Sequence, residues 1–145
     1  MSVKEDLMLD LKSAMKVKNV VKKNTIQMVR AAVLQAEKDK QIELDDNGIL
    51  EIISKQVKQK EDSLGQFEKA GRDDLVMQTK REINILKEYL PEAVERSEIA
   101  EKVIELKVAN NYSKKDMGKL IKELKEFYGV RANGKDIADC VKELL

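Results

Sequence analysis

Histidine and tryptophan are missing from the sequence, and its 145 residues include one cysteine and one proline. Without histidine, the usual zinc sites and the Cys-His and Ser-His constellations lose the imidazole they need as ligand or proton carrier. A lone Cys140 cannot close an internal disulfide, which fits a reducing compartment. The aromatic set is three Tyr and two Phe, a thin supply for the stacking platforms on which single-strand binders lay bases. Long apolar runs are also lacking: no segment approaches the ~18 apolar residues of a membrane span, and the opening "MSVKEDLMLDLKSAM" has no uninterrupted apolar stretch of the secretory kind. The expectation is a soluble, cytoplasmic protein with no membrane partner.

What is present is 42% hydrophobic and 38% charged residues, the balance of a helical globular protein with a core of Leu, Ile, Val, Met and Ala. The length suits one ordinary domain or two small ones. Ser2 and Glu5 form a candidate capping box, and Val3, Leu7, Leu11 and Met15 repeat at helical spacing to about Lys16. After a link at Val17 to Val20, a second helix would bury Val21, Thr25, Met28, Val29, Ala32, Val33 and Ala36 before fading in "EKDKQIELDDNG". A third starts near Asp45 or Asp46, with Ile49, Ile52, Ile53, Val57, Leu64 and Phe67 on one side, and ends where Gly71 follows Ala70. Asp73 and Asp74 suit the positive end of a fourth, which Leu75, Val76, Thr79, Ile83 and Leu86 carry to Leu90, the residue before Pro91.

Beyond Pro91 the elements shorten. Ser97 is the expected cap of a fifth helix through Ile99, Val103, Ile104, Leu106 and Val108, ending at Asn110 and Asn111. Ser113 and Asp116 open a sixth that Gly129 closes, and "VRANG" leads to a last helix with Ile137, Val141 and Leu144 inward. No strand pattern or internal repeat is present. The fold class read from this is all-α: a four-helix N-terminal domain over residues 1–91 and a three-helix C-terminal domain over residues 92–145. The second is small enough to need tight packing or a partner.

The chemistry concentrates in "YSKKDMGKLIKELKEFYGVRANGK", Tyr112 to Lys135. Projected as one helix, Met117, Leu120, Ile121, Leu124, Phe127 and Tyr128 share an arc, and Lys114, Lys115, Lys119, Lys122 and Lys125 take the opposite one. Arg131 and Lys135 follow. Ammonium groups spaced along a helix can each neutralise a phosphate, which gives sequence-independent binding that weakens with salt. Lysines on the outer face of an amphipathic helix also serve solubility and helix propensity, so pattern alone leaves both readings open. Charge also segregates nearer the N-terminus: Leu11 to Ala36 contains Lys12, Lys16, Lys18, Lys22, Lys23 and Arg30 and no acid.

Gly118 lies inside the sixth helix, where glycine costs about 1 kcal/mol relative to alanine. A tight helix crossing is the favoured reason, and close approach of a nucleic-acid backbone the other. Cys140 projects onto the apolar face of the last helix and reads as a buried thiol. The methionines, Met8, Met15, Met28, Met77 and Met117, fall mostly at core spacing. No carboxylate sits in an apolar run that would raise its pKa, and no Walker loop, dinucleotide fingerprint, nucleophile elbow or metal spacing occurs. The sequence therefore offers no catalytic site, metal site or cofactor site of its own.

The run "QVKQKEDSLGQFEKAGRDDLVMQTKREINILKEYLPE" and the segments "KKDMGKLIKEL" and "GVRANGK" resemble those of the GatB/YqeY family over essentially the whole chain. The resemblance implies a stand-alone protein similar to the tail of the GatB component of the glutamine-dependent aspartyl/glutamyl-tRNA amidotransferase. That tail helps hold tRNA, and family membership implies carbon-nitrogen ligase activity with glutamine as amido-N donor. This chain would take part only beside amidotransferase subunits or an aminoacyl-tRNA synthetase that supply the active sites. The RNA-binding residues expected are Lys114, Lys115, Gly118, Lys119 and Lys122 on the sixth helix, with Arg131, Gly134 and Lys135 after it. Where the family often reads G-R-A-D-G, this chain has Val130 inserted and Asn133 in the place of Asp. The expected partner is tRNA or another structured RNA. The alternative is a protein-interaction module that docks on another enzyme, with its lysines merely solvated.

Overall fold

The computed structural model describes residues 2–145. Among the described residues it is all-α, with seven α-helices, two 3-10 turns and no strand. Residues up to Leu90 make one compact unit, and Pro91–Leu145 make a second.

The first unit holds α1 (Val3–Lys16), α2 (Val20–Lys40), α3 (Asp46–Lys69) and α4 (Asp73–Lys87). Local chemistry sets most of these ends. Ser2 Oγ accepts from the Glu5 N–H at 3.2 Å, Asn19 Oδ1 from Lys22 N–H at 3.2 Å, and Asp45 Oδ1 from Gly48 N–H at 2.9 Å, each satisfying one donor that a helix start leaves free. At the α3–α4 corner Gly71 takes a left-handed φ of 69°, and Arg72 N–H reaches back to Phe67 C=O at 3.0 Å, the helix-terminating pattern glycine permits. α4 stops at Lys87, three residues before the Leu90 expected from the proline. Tyr89 and Leu90 N–H instead bond three residues back, to Leu86 and Lys87 C=O. The restriction on the residue before Pro91 is thus met by a tightened turn rather than by a helix running up to it.

α3 packs most extensively on α4, and α1 on α2, with α2 also touching α3 and α4. Leu7, Leu11, Ile26, Val29, Ile49, Ile53 and Leu86 form the centre of the core, and full burial of each such side chain contributes about 1.5–3 kcal/mol. The apolar stripe on α2 is rotated from the expected one. Ile26 is fully buried and Met28 is 55% exposed, because three neighbours converge on the Thr25, Ile26, Val29 and Val33 side. Likewise Ala14 is buried at the end of α1 while Met15 faces solvent, and Met77 on α4 is exposed. These methionines are not core residues.

The second unit holds α5 (Arg96–Asn110), a 3-10 turn (Lys114–Asp116), α6 (Met117–Tyr128), a second 3-10 turn (Gly129–Arg131) and α7 (Gly134–Leu144). α7 is the central element, packed on both α5 and α6. The core is Ile99, Val103, Leu120, Leu124, Ile137, Cys140 and Val141, so the Cys140 thiol is buried as expected. Ser97 does not cap α5. The helix begins two residues earlier, at Arg96, with Glu95 in the cap position and no side-chain cap bond. The path into it is set by a tertiary bond, Val94 N–H to Arg131 C=O at 2.8 Å. Ile104 and Val108 lie exposed, since α5 turns chiefly its Ile99 and Val103 side to α7.

Candidate nucleic-acid interface

The basic segment begins with Asn111, which ends α5 in a left-handed conformation at φ 53°. Ser113 then caps the next element: its N–H and hydroxyl both donate to Asp116 Oδ2, at 3.0 and 3.4 Å. Lys114 and Lys115 lie on the 3-10 turn that follows. A 3-10 turn advances about 120° per residue rather than 100°, so these two depart from the continuous-helix projection, although both are exposed as expected.

α6 proper buries Leu120, Leu124 and Tyr128 and exposes Lys119, Lys122 and Lys125. Phe127 was expected on the buried arc but is 64% exposed. Its ring meets Tyr128 edge-on at 5.0 Å, and the Lys102 ammonium sits 4.7 Å from its centroid. Lys119 stands 5.7 Å from the ring centroid of Tyr112, and the Tyr112 hydroxyl donates to the Glu123 carboxylate at 3.2 Å. Glu123 is thereby held by a phenol instead of a lysine. Partial burial, and then the Glu123 carboxylate, push the Tyr112 phenol above its ordinary pKa, so it stays a donor at neutral pH. Among the described residues, Lys114, Lys115, Lys119, Lys122, Arg131 and Lys135 have no carboxylate within ion-pair distance. Their charges remain available to an outside anion.

Gly118 is not a crossing point. A Cβ built there meets nothing within 4 Å, so the favoured explanation for this glycine is overturned: α6 turns Gly118 outward, to open space. Gly134 is different, for a Cβ there would lie 3.4 Å from Lys125 Cε and 3.8 Å from its Nζ. The Lys125 stem therefore lies across the start of α7. Asn133 caps that helix by accepting from Lys135 N–H at 2.9 Å, so it serves the role an aspartate would have, without the charge. Arg131 is anchored through its own carbonyl, which accepts from Val94, and its side chain is exposed.

Lys125, Lys135 and Gly134 are thus gathered at the α7 N-terminus, and Lys119 and Lys122 continue along α6. Lys125 was placed on the basic arc but not among the expected contact residues. Its three-residue spacing from Lys122 was the available signal. The surface presents ammonium groups and a helix N-terminus, and among the described residues no cluster of potential metal ligands occurs. Groups of this kind can attract an anion.

Comparison with known proteins agrees with the resemblance at the family level. The family described as Yqey-like protein matches residues 4–145. Curated relatives include "Altered inheritance of mitochondria protein 41, mitochondrial" of Pyrenophora tritici-repentis, 35% identical over 99 residues, covering 67% of this chain and 55% of that protein. The protein of the same name from Lachancea thermotolerans is 36% identical over 106 residues, covering 72% of this chain and 55% of its own. In Eremothecium gossypii the corresponding figures are 38% over 82 residues, 56% and 45%. The chain spans about half the length of the curated relatives it matches. With the match running from Lys4 to the last residue, both helical units are included, and the chain belongs to the YqeY-like protein family.

Proposed function

We propose that the second unit binds a structured RNA, tRNA in the first instance, through phosphate contacts, as a non-catalytic accessory to tRNA-dependent amidation or aminoacylation. The observation that carries this reading is the row of cations without carboxylate partners on α6, continued by Arg131 in the second 3-10 turn and Lys135 in the first turn of α7. Lys114, Lys115, Lys119 and Lys122 supply the point charges, Gly118 leaves room for a backbone to approach, and Gly134 opens a helix N-terminus suited to an anion. The likeness of "KKDMGKLIKEL" to the tail of the amidotransferase's GatB component supports tRNA over other polyanions. Glutamine-dependent carbon-nitrogen ligase chemistry would belong to partner subunits, a reading supported by a sequence with no phosphate-binding loop and no nucleophile elbow. A cytoplasmic location goes with this reading and suits one buried thiol. Among the described residues no helix is long and apolar enough to cross a membrane.

The test is a fluorescence-anisotropy titration of unfractionated tRNA with the full chain at 50 and 200 mM salt, beside the K115E/K119E/K122E variant. About four phosphate contacts weaken affinity on the order of 50- to 150-fold between those salts, and the variant loses binding. Affinity that is flat with salt, or equal in the variant, overturns the reading.

A further inference from the structure

The corner between α1 and α2 violates several local preferences at once. Met15, Val17 and Val20 are 55%, 71% and 59% exposed, an apolar cluster at a turn that solvent would ordinarily claim for polar residues. The same stretch of chain carries Lys12, Lys16, Lys18, Lys22 and Lys23, and among the described residues none of the five has a carboxylate at ion-pair distance. Lys22 and Lys23 occupy the first turn of α2, which has no acid, although the positive end of a helix dipole disfavours cations there. Lys18 holds a left-handed φ of 58°, a conformation that glycine or asparagine would adopt more cheaply. Departures from local rules that bring no internal compensation mark surfaces kept for something else.

The corner is concave. A cleft of about 300 Å³ opens between the helix ends, lined by Ala14, Met15, Lys18, Asn19, Val20 and Lys23. Ala14, Met15 and Val20 give it apolar lining, and Lys18 and Lys23 give it cations. A nucleic acid would use the lysines but not the valines, and no aromatic or arginine lies at the corner to stack a base. A membrane surface would meet the lysines, but residues 11–36 contain no Trp, Tyr or Phe to seat at the lipid boundary. What complements both parts together is an acidic amphipathic segment, with an aliphatic side chain for the cleft and carboxylates for the lysines. Met15 can reshape to such a side chain, and the lysine stems extend the apolar lining while their ammonium groups stay in water.

We infer that the α1–α2 corner of the first unit is a docking site for an acidic amphipathic helix of a partner protein, held by an aliphatic anchor between Met15 and Val20 and by carboxylates on Lys16, Lys18, Lys22 and Lys23. This site is independent of the basic surface on the second unit.

The test titrates the full chain into a fluorescein-labelled 16-residue helical peptide with leucines along one face and glutamates along the other. The comparison peptides replace the leucines by glycine or the glutamates by glutamine. Two variants are used, V17S/V20S and K16E/K18E/K22E, with thermal melts followed by circular dichroism to show that each keeps the fold. Saturable binding is expected for the intact peptide alone. It should weaken about tenfold or more in each variant, and with salt between 50 and 200 mM. Absence of saturable binding overturns the proposal, as does affinity unchanged in V17S/V20S. Binding of vesicles containing one-third phosphatidylglycerol that is lost in these variants, without peptide binding, reassigns the corner to a lipid surface. Loss of tRNA binding in V17S/V20S, again without peptide binding, reassigns it to RNA.

Discussion

The phenol of Tyr89 donates to the carboxylate of Asp10 at 2.5 Å, joining residues 79 apart in sequence. One lies on α1 and the other in the turn that follows α4, so this bond ties the first helix of its unit to the last. Burial, and then the Asp10 carboxylate, push the Tyr89 phenol well above its ordinary pKa. The folded chain therefore keeps this proton after an unfolded chain has begun to lose it, near pH 10. Stability from this group is complete below about pH 10 and declines as pH rises further, because the unfolded state then binds fewer protons. Tyr89→Phe is expected to cost about 1–2 kcal/mol at pH 7 for the lost charge-assisted bond, and to flatten the decline above pH 10. Urea denaturation of both proteins from pH 7 to 11 measures the two effects. A decline equally steep in Tyr89→Phe would remove Tyr89 as its source.

Lys60 and Glu82 meet at 2.6 Å between α3 and α4, with side chains only 14% and 18% exposed. Gln78 also donates to Glu82, at 3.1 Å. Removing one partner strands a largely buried charge, so Lys60→Met is expected to destabilise by about 1–3 kcal/mol. The double variant Lys60→Met, Glu82→Leu should recover much of that loss, since no charge is then left unpaired. A double-mutant cycle by denaturant unfolding gives the coupling directly, and simple additivity would show that the pair contributes nothing beyond its parts.

Gly118 faces open space on a helix. Gly118→Ala should therefore stabilise the protein by up to about 1 kcal/mol, because alanine removes backbone freedom from the unfolded chain without a clash. If a polyanion backbone approaches there, the same change weakens tRNA binding several-fold. A raised melting temperature with unchanged tRNA affinity would strike Gly118 from the contact set.

Where a helix end is set by its own residues, it was legible. Ser2, Asp45 and Gly71 act within three to five residues of where they stand, and α1 and α3 start or stop beside them. Ser97 was misleading because Val94 bonds to Arg131, far along the chain, and so fixes the start of α5 from outside. At α6 the basic face was legible as exposed. The exposure of Phe127, the packing of Lys125 over Gly134 and the engagement of Glu123 by Tyr112 were not, because each depends on which neighbour a helix face meets.

The sequence alone determined that the protein is helical, where most of its helices begin and end, and which segments are basic, because spacing, caps and charge act over a few residues. Tertiary structure decided which apolar side chains are spent on the cores. Ile26 over Met28 and Ala14 over Met15 were chosen by the helices that converge on α2 and α1. It also decided which charges are left over, since a lysine is free or engaged according to side chains brought near it by packing. That is why Lys60 is a structural cation and Lys119 an available one.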